Sequence, residues 1–368
     1  MSEFTATDVR HMRHALRLAA RGLGRTAPNP AVGCVIVSRE GRVVGRGWTQ
    51  VGGIPHAETV ALAQAGAAAE GGTAYVTLEP CAHYGRTPPC AEALAEAGVA
   101  RVVAAVEDPD PRVRGQGFSH MEQCFIGTNR DLLCDEATEI NRGFFLRVLQ
   151  QRPLVTLKIA QSLDGRTAAA DGQSKWITSE AARRHGHLLR ARHDAILIGI
   201  ETALADDPEL TCRLPGLEEA SPIRVVLDSR LRLSDWSRLA QSAASVPTLV
   251  YTTSHNSGAA LKVCGVEVIH CTADARGQPD IAAMLADLAG RGVNRLLVEG
   301  GAIVQASFLN RHLVDRIEVY TAPLLLGSAG KASAGALAAL SLDEAPRFVR
   351  TASRQLGPDL LESFRASA

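Results

Sequence analysis

Residues 56–62 read H-A-E-T-V-A-L, and residues 77–94 read T-L-E-P-C-A-H-Y-G-R-T-P-P-C-A-E-A-L. His56, Glu58 two positions later, and Cys81 and Cys90, each directly after a proline, are the residues with chemistry in this stretch. An imidazole and two thiolates suit Zn²⁺. A catalytic zinc needs only three protein ligands, so that water can take the fourth place. Glu58 then has the position of a general acid/base that moves a reacting water's proton. A structural zinc would want a fourth ligand, and none stands at the usual spacing, although His83 is close in sequence.

Working outward, residues 7–21 space Val9, Met12, Leu16 and Ala19 for an amphipathic helix that ends at Gly22. A-V-G-C-V-I-V and R-V-V-G-R-G-W, joined by a polar turn, predict a β-hairpin. His56 to Ala69 reads as a helix whose first turn carries His56 and Glu58. A strand over 73–78 follows, then a helix opened by Cys90 and the strand R-V-V-A-A-V. Both thiols are expected near helix starts, where partial positive charge favours thiolate. Residues 117–135 show no clean period and predict a short helix and an edge strand. N-R-G-F-F-L-R-V-L-Q-Q-R-P reads as a helical linker. These elements predict an α/β layered domain over residues 1–150.

Residues 151–368 start again with the strand P-L-V-T-L-K-I-A. Helices over 179–192 and 280–291 alternate with the strands A-I-L-I-G-I, I-R-V-V-L-D, P-T-L-V-Y-T, V-E-V-I-H and R-L-L-V-E-G-G. That alternation predicts a mostly parallel sheet. R-F-V-R-T-A and D-L-L-E-S-F predict an antiparallel edge. The Ser/Ala-rich segment 236–262 reads as holding a surface loop.

Lys+Arg and Asp+Glu are 39 each, so no basic excess marks a phosphate backbone as partner. No apolar run reaches the roughly 20 residues of a membrane helix, and the N-terminus lacks signal-peptide order. The chain is therefore expected to be cytoplasmic, with a small-molecule substrate and neither nucleic acid nor membrane as partner. In a reducing compartment, Cys81 and Cys90 suit metal rather than a disulfide. Cys34, Cys124, Cys134, Cys212, Cys264 and Cys271 read as buried or incidental thiols.

The order H-x-E…P-C…C is the zinc-deaminase signature. Deaminases of nucleosides and nucleic acids space their cysteines C-x-x-C, whereas A-H-Y-G-R-T-P-P separates Cys81 from Cys90 here. A loop that long can make substrate contacts of its own, and Arg86 is its candidate donor to a phosphate or carbonyl. H-A-E…T-L-E-P-C-x-H-x-G-R-T-P-P-C, with P-N-P-x-V-G before it and D-P-x-P after it, resembles the bifunctional riboflavin-biosynthesis deaminase–reductases. K-I-A-Q-S-L-D-G-R, S-K-W-I-T-S, A-D-D-P-x-L-T-C-R and V-E-G-G extend the resemblance over nearly the whole chain.

The resemblance implies a cytidine-deaminase-like α/β/α domain followed by a dihydrofolate-reductase-like α/β domain. It also implies Zn²⁺ and NADPH as cofactors, a pyrimidine ribotide as substrate, and a homo-oligomer, dimer or tetramer. It makes His56, Cys81 and Cys90 the zinc ligands and Glu58 the proton carrier. Asn29, Arg86 and Asp108 would line the deaminase pocket. Thr49 stands where many members carry a histidine, and Q-C-F-I-G-T-N departs from their usual A-G-I-like turn.

In the second half, Gly300–Gly301 at a strand–helix turn suit a backbone that approaches a pyrophosphate, although no G-x-G-x-x-G fingerprint is present. The resemblance implies cofactor contacts at Ala160, Trp176, Thr202, Asp206, Ser229, Gly301, Ala302, Ile303, Val304, Gln305, Ala306 and Ser307. It implies substrate contacts at Ser174, Arg190, Leu210, Arg213 and Glu299. Arg190 and Arg213 suit a ribose 5-phosphate, because guanidinium binds phosphate through two donors. Lys158, on an apolar strand, needs a partner to be tolerated there. Glu299 is the candidate partner, and Lys158 the candidate catalytic group, with Asp206 a further candidate proton carrier.

Overall fold

The computed structural model describes residues 4–85, 87–338 and 341–367. Its contacts divide the chain into two units, Met1–Arg152 and Pro153–Ala368.

The first unit runs α1 (Ala6–Ala19), β1 (Gly33–Val37), β2 (Val43–Trp48), α2 (Ala57–Ala65), β3 (Thr73–Val76), α3 (Cys90–Glu96), β4 (Arg101–Ala104), α4 (Gln116–Gln123), β5 (Gly127–Asn129) and α5 (Cys134–Gln150). The sheet order is β2-β1-β3-β4-β5. β1 pairs antiparallel with β2 and β3, and the β3–β4 and β4–β5 pairs are parallel. β1 is buried along its whole length because both faces are covered. Cys34 and Ile36 pack with Ala61, Leu94 and Phe118 on one side, and Val35 and Val37 with Met12, Leu16 and Ala137 on the other. That double burial is why the strand reads as an unbroken apolar run.

The second unit runs β6 (Leu154–Ser162), β7 (Arg166–Ala168), α6 (Glu180–Ala191), β8 (Ala195–Gly199), α7 (Ile200–Asp206), β9 (Ile223–Leu227), α8 (Arg238–Gln241), β10 (Thr248–Thr252), α9 (Ala259–Val263), β11 (Glu267–His270), α10 (Ile281–Gly290), β12 (Arg295–Gly300), α11 (Ala302–Leu309), β13 (Arg316–Ala322), β14 (Lys331–Ala332), β15 (Phe348–Leu356) and β16 (Asp359–Ala366). Its large sheet is ordered β11-β10-β9-β8-β12-β6-β13-β16-β15, parallel up to β13 and antiparallel through the last two. Leu285 and Phe308, from α10 and α11, pack on one face, and Leu189, Leu239 and Leu261, from α6, α8 and α9, on the other.

Two local expectations need correction, and other elements add to the reading. α2 starts at Ala57, so His56 is its N-cap and not part of its first turn. Cys81 lies in the loop after β3 rather than at a helix start. The segment 236–262 holds the expected surface loop over 253–258 and also carries α8 and α9 on either side of the expected strand, where Leu239 and Leu261 bury against the sheet. The helix α7 and the small β7–β14 ladder have no strong sequence period and were not expected.

What positions the first site is a close backbone approach. A Cβ on Gly45 would fall 2.2 Å from the Ala61 carbonyl oxygen, and one on Gly47 2.0 Å from that of Ala57. Only glycine lets α2 lie on β2 at that distance. Gly47→Ala therefore has to push α2 off the strand, at a cost of about 1–3 kcal/mol. Hydrogen exchange in urea is expected to show peptides of residues 57–65 destabilised by that amount. Peptides from the second unit serve as reference and should not change.

Candidate active sites

His56 caps α2 with an extended backbone, and its side chain makes no capping bond, so the ring is free to face the cysteines. Its Nδ1 lies 3.3 Å from Cys90 Sγ and 3.6 Å from Cys81 Sγ. One ligand atom from each of His56, Cys81 and Cys90 lies within 4.8 Å of the others, and among the described residues no fourth His, Cys, Asp or Glu joins them. A nitrogen–sulfur set of three with an open fourth place fits catalytic Zn²⁺.

Cys90 opens α3, and its backbone N–H donates to Cys81 Sγ at 3.3 Å. Cys81 thus feels a helix N-terminus without belonging to one. The Cys90 thiol and His56 help hold the Cys81 thiol well below the usual thiol range, against the effect of burial. Hydrogen bonding to Cys81, together with burial, pushes Cys90 up. Cys81 is thus the sulfur better prepared to bind a metal, and a bound Zn²⁺ would take both sulfurs as thiolates.

Glu58 is 4% exposed. Burial, and after it the Cys81 charge, pushes its carboxyl up to about 7. A carboxyl in that range exchanges protons readily at neutral pH.

Around this centre, Asn29 Nδ2 donates to the Gly53 carbonyl at 2.8 Å. Asp108 Oδ1 accepts from Asp110 N at 2.8 Å, and burial pushes the Asp108 carboxyl up. Arg86 lies outside the described residues. Thr49 is 3% exposed, and its hydroxyl accepts from Val32 N at 3.0 Å. The hydroxyl that stands where an imidazole was expected is thus spent on the hairpin backbone. Glu79, quoted in the motif but given no role, is also buried and accepts three backbone N–H groups. Its signal was an acid set between an apolar strand and a zinc ligand. Of the remaining cysteines, Cys34 and Cys212 are buried, Cys124 is exposed, and Cys134, Cys264 and Cys271 are half-buried.

In the second unit the structure brings Lys158, Arg190 and Glu299 together. Lys158 Nζ lies 3.3 Å from Glu299 Oε2. Arg190 grips the same carboxylate through Nε at 2.7 Å and a terminal nitrogen at 2.9 Å, and its other terminal nitrogen donates to the Thr211 carbonyl at 3.0 Å. The register of β12 against β8 shifts between Val298 and Gly300, a bulge that spans Glu299. Bulges re-aim side chains. Lys158 also lies 5.9 Å from the centre of the Tyr320 ring, whose hydroxyl meets His185 Nδ1 at 2.7 Å. Arg213 is exposed and paired with Glu209 at 3.0 Å, Leu210 is buried, and Ser174 is half-buried in a loop.

The residues expected to meet a cofactor cluster by topology. Ala160, Thr202, Ser229 and the run from Gly301 follow or end β6, β8, β9 and β12, which are consecutive in the sheet and parallel. The crevice beyond the carboxyl ends of parallel strands is where such sheets bind ligands. A Cβ on Gly300 or Gly301 would come within 3.3 Å or 3.2 Å of Thr202 Oγ1, so the glycine pair keeps this corner open. Ile303 is exposed beside it, whereas Gln305 and Ala306 are buried, and the Gln305 side chain donates to the Lys158 carbonyl at 3.0 Å. Ala302, Val304 and Ser307 are half-buried, Asp206 is exposed, and Trp176 is 69% exposed with the Arg183 guanidinium over its ring. An open cradle at strand ends, beside an enclosed pair of cations, fits an anionic dinucleotide.

Residues 5–106 match the cytidine and deoxycytidylate deaminase zinc-binding region, and residues 153–361 match the RibD C-terminal domain. The chain is 42% identical to the riboflavin biosynthesis protein RibD of Escherichia coli K12 over 96% of this chain and 98% of that one. It is 41% identical to the protein of the same name from Haemophilus influenzae, over 98% of both. The solved structure of Acinetobacter baumannii RibD superposes with a TM-score of 0.89 at 38% identity, covering 98% of this chain and 99% of that one. A diaminohydroxyphosphoribosylaminopyrimidine deaminase/5-amino-6-(5-phosphoribosylamino)uracil reductase from Thermotoga maritima superposes with a TM-score of 0.87 at 32% identity, with the same coverage.

The Glu299 side chain is only 7% exposed. Burial alone would raise its carboxyl, but Arg190 and Lys158 overcome this and hold it well below its ordinary value of 4.5. The stabilisation is therefore complete above that ordinary value and is lost as the pH falls from it through the folded value. Glu299→Gln leaves two cations unmatched and is expected to cost about 3–5 kcal/mol in the second unit at pH 7. Urea unfolding at a series of pH values checks both: below pH 4.5 the gap between wild type and variant should close.

Proposed function

The chain belongs to the RibD family of riboflavin-biosynthesis proteins, and from that membership we infer how its residues divide the work. It is a bifunctional enzyme, a zinc-dependent deaminase and an NADPH-dependent reductase. The first activity hydrolyses the 2-amino group of 2,5-diamino-6-(5-phosphoribosylamino)pyrimidin-4(3H)-one. The second reduces the ribosyl chain of 5-amino-6-(5-phosphoribosylamino)uracil to ribityl. We assign deamination to residues 1–150 and reduction to residues 151–368. The observation that carries the assignment is the three-ligand cluster with Glu58 beside it, in a chain that also encloses Lys158, Arg190 and Glu299.

When bound, Zn²⁺ supplies Lewis acidity toward the attacking water, and NADPH supplies the hydride. His56, Cys81 and Cys90 would hold the metal. Glu58 takes a proton from the attacking water and returns it to the amine that leaves. Asn29, Arg86 and Asp108 are our assignment for the walls of the pyrimidine pocket. In the second half, Ala160, Trp176, Thr202, Asp206, Ser229 and the run Gly301 to Ser307 would hold the cofactor, with Gln305 and Ala306 acting through their backbone. Ser174, Leu210, Arg213 and Glu299 would hold the ribotide, with Arg190 acting on it through Glu299. Reduction at C1′ needs the sugar ring open, and Lys158, kept in place by Glu299, would steer that proton transfer. The bidentate bond from Arg190 to Glu299 favours Arg190 as a brace for this pair over a free phosphate clamp.

Among the described residues no helix is long and apolar enough to cross a membrane. A cytoplasmic location and a homo-oligomeric state, dimer or tetramer, remain part of our reading. The eight free cysteines suit a reducing compartment.

Incubating the diaminopyrimidine ribotide with protein should exchange an amine for a carbonyl by mass spectrometry, and two hydrogens should be added only when NADPH is present. Glu58→Ala should abolish ammonia release and leave reduction of the deaminated ribotide nearly intact. Lys158→Ala should do the reverse. Loss of both activities in either variant, with the fold unharmed, would overturn the two-site assignment.

A further inference from the structure

Glu79 lies between β3 and Cys81 and is 5% exposed. Its Oε2 accepts from Asp108 N at 3.1 Å and Gly115 N at 3.0 Å, and its Oε1 accepts from Gly117 N at 2.8 Å. β4 ends at Ala104, Asp108 lies four residues past that end in the loop that follows, and Gly115 is the N-cap of α4, where that loop ends. One carboxylate therefore holds the stretch from Asp108 to Gly115 at both of its ends. Its own backbone N–H donates to the Val106 carbonyl at 2.9 Å, just before that stretch. The approach is as close as a chain allows: a Cβ on Gly117 would fall 2.0 Å from the Pro80 carbonyl oxygen and 3.1 Å from Glu79 Oε1. A helix N-terminus adds favourable charge for the carboxylate.

The same short segment then supplies Cys81, two residues further on. Its position and that of Asp108 are thereby tied to one side chain. We propose that Glu79 is a positioning residue of the deaminase, which fixes the Asp108 wall of the pyrimidine pocket relative to the metal ligands. The proposal rests on the deaminase assignment and on Asp108 as a substrate contact. A glutamine at 79 would turn an amide –NH₂ toward backbone donors and leave at least one of the three N–H groups unmet. The loop would then leave its place, while His56, Cys81 and Cys90 keep their own contacts.

The test uses full-length, zinc-loaded Glu79→Gln and Gly117→Ala. The second variant displaces the loop with the carboxylate intact. An unmet buried donor costs about 1–3 kcal/mol, so KM for deamination should rise about tenfold, with kcat within about threefold of wild type. The Kd of the diaminopyrimidine ribotide, measured by calorimetry with Glu58→Ala added to block turnover, should weaken by about the same factor. Zinc content should stay at the wild-type level, and NADPH-dependent reduction of the deaminated ribotide should be unchanged. KM and Kd within about twofold of wild type in either variant would overturn the proposal. So would loss of zinc together with kcat, which would make Glu79 a support for Cys81 alone. A wild-type protein that binds zinc but releases no ammonia would overturn the deaminase assignment itself, a result visible before any variant is compared.

Discussion

A carboxylate taken out of water must find its partners inside the protein, and three enclosed glutamates meet that demand in three ways. Glu299 finds two cations, which hold it ionised and which it in turn holds in place. Glu79 finds three backbone N–H groups and so organises a loop. Glu58 has less to compensate its burial, and its carboxyl rises to about 7. The group assigned to proton transfer is thus the one that burial pushes toward neutral pH, and the other two are the well-partnered ones. On our assignment, enclosed charge is satisfied where it stays put and less satisfied where it moves a proton.

That arrangement works only because backbones come close. α2 reaches Glu58 into the first unit's interior because β2 presents Gly45 and Gly47 to it. α4 brings its N-terminus to Glu79 because Gly117 has no side chain to meet the Pro80 carbonyl. In the second unit the approach is looser and meets a side chain: Gly300 and Gly301 face the Thr202 hydroxyl. At each site a helix or turn lies against a strand end where a single methyl group would intrude. The glycines are as much part of the sites as the charged groups they bring together.

Much of this was legible in the chain. G-C-V-I-V is continuous because both its faces are covered, and the parallel strands of the second unit read the same way. His56, Glu58, Cys81 and Cys90 were legible because metal chemistry restricts which residues can stand together. The pairing of Lys158 with Glu299 followed from the cost of an unmatched lysine on an apolar strand, although 141 positions separate the two. What could not be read depends on partners that no local pattern announces. Glu79 is satisfied by donors 29, 36 and 38 positions away. Thr49 looked like a lost imidazole, but its use is a bond to Val32 N that only the folded hairpin makes. Arg190 read as a surface charge or phosphate clamp until the bulge at Glu299 turned a carboxylate toward it. α7 and α8 are too short to carry a period; Ile200 and Ala203 anchor the first by burial, and the Ser237 cap with Leu239 and Ala240 fixes the second.

The charge balance of the second site has a further consequence. Lys158 and Arg190 bring two positive charges to the single negative charge of Glu299, so the enclosed group carries an excess of one. Arg213 adds little to it, because Glu209 already pairs with that exposed side chain. The ligands assigned to this unit, a phosphorylated pyrimidine and a phosphorylated dinucleotide, are both anions. An unmatched positive charge attracts such ligands over a distance before any contact is made. Arg190 therefore need not touch phosphate to matter for binding. By binding Glu299 through two bonds it leaves the triad a net positive charge, and it is that charge, rather than the guanidinium itself, that our reading sets against the ribotide.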